Sequence, residues 1–154
     1  MSNTDKAVLE RSLDYAEKAM TRLEEVLASP SFPEMPTMKR DATIQRFEFT
    51  YEMTWKLFRK VLQSQGVPAA KVRTAFNVIA EAGAAGWLKN RELWEQMIAD
   101  RNYTSHEYEE KSAKAVFERI EAMHAAELRQ AINHVRESFF KSHPLNHWKD
   151  REDA

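Results

Sequence analysis

Cysteine is missing from this 154-residue chain. Its absence excludes disulfides and thiolate-rich zinc sites, and it is compatible with a reducing cytosol. Glycine is nearly as scarce, at three residues, which removes collagen-like and glycine-rich disordered classes. Nowhere are there about 18 consecutive apolar residues to span a bilayer. The start, Met1-Ser2-Asn3-Thr4-Asp5-Lys6, has no basic segment followed by an apolar run, so no secretory leader is read there. The expectation is a cytoplasmic protein without a membrane partner. Excess charge of one sign is also lacking: the net charge is −1. A general basic field that would coat nucleic acid is therefore excluded, and any RNA contact must be local. No internal repeat and no strand signal occur.

What is present is a helical pattern, with apolar residues at 43% and charged residues at 31%. From Thr4 to Ala28, Leu9, Leu13, Ala16, Met20, Leu23 and Leu27 recur every three or four residues, the period of an apolar helical stripe. Prolines at positions 30, 33 and 36 remove amide donors and end that helix. A second helix is predicted from Lys39 to Gln65. Ile44, Phe47, Tyr51, Trp55, Phe58 and Leu62 line one face, and Phe49, Met53 and Leu57 line another, so this helix should be central. Gly66 closes it and Pro68 opens a third helix, running to about Gly83, with Val72, Ala75, Phe76, Ile79 and Ala82 as its stripe. A fourth begins near Asn90 and continues to Tyr108. A fifth, after the Glu107–Lys111 charge cluster, carries Ala113, Phe117, Ile120, His124, Leu128, Ala131 and Val135 to Pro144. The fold class is all-α, an up-down antiparallel bundle of about five helices. Residues 1–143 form the bundle, and residues 144–154 are expected to be a polar, frayed C-terminal tail.

Chemistry is concentrated in Arg101-Asn102-Tyr103-Thr104-Ser105-His106-Glu107-Tyr108. Arginine holds a phosphate and stays charged at any working pH, and histidine suits proton transfer near neutrality. The pairing points to phosphodiester chemistry. On one straight helix Trp94, Met97, Ser105 and Tyr108 lie within about 40° of Arg101, whereas His106 lies about 140° away, beside Asn102. Arg101 thus sits on the apolar stripe, where an unpaired guanidinium would be costly. Glu48 has the same problem on the second helix, between Ile44 and Tyr51. An Arg101–Glu48 contact is the expected solution, whether as part of a site or as an ordinary cross-link between helices. Tyr103 lies opposite the stripe, exposed or in a subunit contact.

The block Asp41-Ala42-Thr43-Ile44-Gln45-Arg46-Phe47-Glu48-Phe49-Thr50-Tyr51-Glu52-Met53-Thr54-Trp55-Lys56, followed by Trp94, Asp100-Arg101-Asn102 and His106-Glu107-Tyr108, resembles the HEPN superfamily. Within it the chain is most similar to the HepT-like proteins labelled nucleotidyltransferase substrate-binding subunits. The resemblance spans roughly residues 9–121. It implies a bundle that forms a homodimer, with the two arginine–histidine helices lining a shared groove. It further implies a toxin of a toxin–antitoxin pair, a metal-independent endoribonuclease needing no cofactor, with Arg101, Asn102 and His106 catalytic and Glu48 supporting. Tyr108 matches the tyrosine that a cognate nucleotidyltransferase antitoxin modifies with adenylyl groups. The implied partners are RNA, that transferase and a second copy. The same residues also allow a non-catalytic module that binds and positions a nucleotidyltransferase, or a plain structural bundle.

Other residues have simpler readings. His124 falls on the fifth helix's stripe and is expected to be a hydrogen-bonded core histidine. His134, His143 and His147 belong to the polar face and tail, and no metal site is read from their spacing. Trp55, Trp87 and Trp94, at helical positions, are expected to pack in the core or an interface rather than stack on bases. Lys56, Arg59 and Lys60 form a modest cationic patch beside Trp55.

Overall fold

A computed structural model describes residues 2–106 and 109–152, with the side chains of 104–106, 151 and 152 outside that description. Helix α1 (Asn3–Ala28) starts from a capping box: the Asp5 amide donates to Ser2 Oγ at 3.1 Å and the Ser2 amide to the Asp5 carboxylate at 3.4 Å. It stops where Ser29 turns extended ahead of Pro30. Helix α2 (Met38–Ser64) ends at Gly66, whose φ of +95° is the left-handed geometry of a helix-terminating glycine. Thr74 caps α3 (Ala75–Ala84), accepting from the Asn77 amide. Helix α4 (Arg91–His106) follows, then α5 (Glu110–Arg119), a π-helical turn (Ile120–His124), α6 (Ala125–Phe139) and α7 (His147–Glu152).

The all-α expectation holds, and the π turn joins α5 and α6 into one rod, so five long pieces build the bundle. Helix α2 is central, packing on α1, α3, α4, α5 and α6. Its main stripe, Ile44, Phe47, Tyr51, Trp55, Phe58 and Leu62, is buried. Burial of each large apolar side chain of this kind contributes about 1.5–3 kcal/mol, and that drive orders the helices more than their intrinsic propensity does.

Five expectations need correction. Phe49, read as part of a second buried face of α2, is 55% exposed, although its neighbour on that face, Leu57, is fully buried. Phe76 of α3 is 58% exposed, because the helix starts only at Ala75 and turns Val78 and Ile79 inward instead. In α5 Val116 takes the core position and Phe117 is half-buried. Among the described residues after Pro144, 147–152 do not fray: they form α7, which packs on α1, with Trp148 buried. His143, expected on the polar surface, anchors that segment. Its Nδ1 lies 2.8 Å from Glu10 and its Nε2 2.8 Å from Asp14, both on α1. No helix among the described residues is long and apolar enough to cross a membrane.

Candidate functional site

Helix α4 is tied to its neighbours near both ends. At the start, Asn90 Oδ1 accepts from the Leu93 amide, while Glu127 of α6 accepts from the Asn90 amide at 2.9 Å and from the Trp94 indole at 3.1 Å. A carboxylate there also complements the positive end of the helix dipole. Trp94 and Met97 are fully buried, as their stripe predicts. One turn further on, the stripe reaches Arg101. Its Nη1 lies 3.3 Å from Glu48 Oε2 on α2, with the arginine side chain 28% exposed. The contact read from the two apolar stripes is present. A pair with this much solvent around it contributes little to stability, but it fixes where the guanidinium points.

Arg101 opens onto a cleft of about 650 Å³ between α1 and α2, lined also by Tyr15, Lys18, Arg22, Arg46 and Phe49. Beneath it stands Tyr51. Burial and the Glu52 carboxylate raise the Tyr51 phenol above its usual range, while the Arg101 charge pulls the other way. The phenol is therefore neutral.

Behind Arg101, on the side away from the cleft, Asp100 is almost fully buried and heads a network that the sequence reading missed. Arg119 grips it with two bonds, Nε at 2.9 Å and Nη2 at 2.6 Å. Gln96 adds a third at 3.1 Å, and His124 Nε2 approaches to 2.7 Å. A carboxylate only accepts, so His124 carries its proton on Nε2. Burial alone would raise the Asp100 carboxyl, but the bonds from His124, Arg119 and Gln96 outweigh it and hold the group down at about 2. His124 is thus the hydrogen-bonded core histidine expected from its stripe, and its ring stacks on Phe47 at 5.4 Å. The available signal for Asp100 was an acid one residue before a stripe arginine, with Gln96 one turn earlier.

The structure brings Arg101 and Glu48 together. Asn102 is exposed on α4, and Tyr103 is half-buried. His106 is the last residue of α4, with its side chain outside the described residues, and Tyr108 lies outside them altogether. Trp55, Trp87 and Trp94 all pack in the core, Trp87 from the loop before α4 rather than from a helix. Among the described residues no group of three or more potential ligands could hold a metal ion.

The chain is an all-helical bundle in which α4 is braced by its neighbours and carries Arg101 to the edge of an open cleft. Residues 11–137 match the family described as Nucleotidyltransferase substrate binding protein like, and the chain belongs to that family. It is 28% identical over 120 residues to a Haemophilus influenzae protein named Probable ribonuclease HepT, covering 71% of this chain and 82% of that protein. A crystal structure of a protein from Thermus thermophilus superposes with a TM-score of 0.66 at 34% identity, covering 79% of this chain and 98% of the other.

Proposed function

We propose that this chain is a HepT-like ribonuclease toxin, cleaving RNA as a homodimer and silenced by a partner nucleotidyltransferase. The observation that carries the reading is the Arg101–Glu48 pair, a partly exposed guanidinium held by a carboxylate at the edge of an open cleft. Such an arrangement leaves a guanidinium, charged at any working pH, where it can stabilise charge on a phosphodiester. The family description and the relative's name point the same way.

In this scheme His106 takes the proton of a ribose 2′-hydroxyl and the 2′-oxygen attacks the adjacent phosphorus. Arg101 balances the charge that builds on the phosphorane, and Asn102 orients the phosphate. The bond to the 5′-oxygen then breaks, that oxygen taking a proton from water or from the second subunit's copy of the same histidine. The products are a 2′,3′-cyclic phosphate and a 5′-hydroxyl. Adenylylation of Tyr108 would bring phosphate charge to the same stripe as Arg101 and fill its anion site.

The test is cleavage of RNA by the purified chain in excess chelator, with the ends of the products identified. Cyclic phosphate ends are expected, with Arg101→Ala and His106→Ala each slower by about 10²-fold or more. Magnesium-dependent products ending in 5′-phosphate would overturn the scheme. Tyr108→Phe should still cleave but escape silencing by the transferase. A second reading, a non-catalytic subunit that positions a nucleotidyltransferase, draws on the family description itself. It is favoured if the chain binds a transferase tightly yet neither wild type nor His106→Ala affects growth when expressed alone.

A further inference from the structure

The cleft beside Arg101 has an aromatic and cationic lining that phosphodiester chemistry alone does not require. Tyr15 on α1 and Phe49 on α2 are 51% and 55% exposed, and both line it. Between and beyond them stand Lys18, Arg22 and Arg46, so that with Arg101 four cations face the two carboxylates Glu48 and Glu52. The chain as a whole carries a net charge of −1, so this surplus is local.

The pattern continues along both helices. Arg11, Tyr15, Lys18 and Arg22 recur at spacings of four, three and four, within about 60° on one face of α1. Phe49, Lys56 and Lys60 share a face of α2 within about 40° in the same way. Burial first, and then the like charges of Arg59, Lys56 and Arg11, lower the Lys60 ammonium below its usual range. The cations of the two helices therefore crowd one another. The two helices are also locked together along this face. Arg46 Nη1 donates to the Arg22 carbonyl at 2.7 Å, and the Thr50 hydroxyl reaches the Ala19 carbonyl at 3.1 Å. The track is pre-formed.

We propose that this α1–α2 face binds single-stranded RNA, with bases stacking on Tyr15 and Phe49 and the backbone following the field of Lys18, Arg22 and Arg46 toward Arg101. Exposed aromatics interleaved with cations along a groove are what a sequence-tolerant single-strand site needs, because every base has a stacking face and every linkage a charge. A duplex would present phosphates but keep its bases from the rings. An acidic protein surface would use the cations and leave the rings without stacking partners. The choice of RNA over DNA, and the direction of the track toward Arg101, rest on the ribonuclease reading.

The test is fluorescence anisotropy of a labelled twelve-residue oligouridine in chelator, using the full chain carrying His106→Ala so that the probe survives. Adding Tyr15→Ala and Phe49→Ala together should weaken binding about tenfold or more, and Tyr15→Phe with Phe49→Tyr should leave it intact. Lys18→Ala with Arg22→Ala should reduce the slope of log affinity against log salt by about 1.4, or about 0.7 for each lost phosphate contact. Circular dichroism should be unchanged throughout. Unaltered affinity in the aromatic pair would overturn the track. So would a loss of affinity that merely follows dissociation of dimers in light scattering, or loss of transferase capture with RNA affinity retained. Cleavage by wild type with unaffected binding in the groove variants sinks the track and leaves the ribonuclease. Stacking-dependent binding with no cleavage by wild type does the reverse.

Discussion

Asp100 is where single residues have the largest predictable effect. Its folded-state value of about 2, against 3.8 when unperturbed, makes the carboxylate a source of stability that is fully present above about pH 4. As pH falls from there through about 2, protonation removes it, a loss of about 2 kcal/mol. Urea denaturation across that window should show the loss in wild type and a flatter profile in Asp100→Asn, which starts lower because Arg119 and His124 are left facing a neutral amide. Glu48 should behave differently. It is part-exposed, so Glu48→Gln should move stability by less than about 1 kcal/mol while lowering kcat for RNA cleavage more than it raises KM. Equal stability loss for Glu48→Gln and Asp100→Asn would contradict the distinction. The Arg101–Glu48 pair was legible because each charge interrupts an apolar stripe and neither could remain there alone. Asp100 was not, because it lies beside the stripe rather than on it, and only the path of the next helix brings Arg119 and His124 to it.

That path depends on one element, the π turn between α5 and α6. On a regular α-helix Arg119 and His124, five residues apart, would point about 140° away from each other. The turn closes with the Ala125 amide on the Ile120 carbonyl, five residues back, and this geometry lets both side chains reach Asp100. Deleting Met123, which is exposed, should restore the α-helical period and set Arg119 and His124 four positions apart, within about 40° on one face, so that both still reach Asp100. The expected result is an unfolding midpoint close to that of wild type. A transition lowered by a few kcal/mol, within the range for breaking a buried charged network, would show that Asp100 had lost a partner. A reading based on a constant period cannot see such a turn, nor that α3 would begin after an extended Thr74 and leave Phe76 outside. Helices with long stripes and clear stop signals, α1 and α2, were placed to within a residue.

At the scale of the molecule, the bundle is held by long-range polar ties as well as by its core. Arg129 of α6 reaches Glu17 at 2.8 Å and also engages Glu24 on α1, while His143 links Glu10 and Asp14 to the segment leading into α7. None of these was legible, since each joins residues more than a hundred positions apart. His143→Ala should release α7 locally, so that amide exchange quickens across 147–150 while α2 and α4 keep their protection. Faster exchange everywhere would mean that the tie supports the whole fold. The order of helices and the central place of α2, by contrast, followed from apolar spacing alone.

Burial of the indoles gives this chain an optical consequence. All four tryptophans, at positions 55, 87, 94 and 148, are 9% exposed or less, so emission from the folded protein should lie at short wavelength and shift red on denaturation. Trp148 stands apart from the other three, in α7. A variant retaining it alone would report the detachment of α7, and one retaining Trp55, whose ring lies under Arg59 at 5.2 Å, would report on ligands arriving at the cationic face.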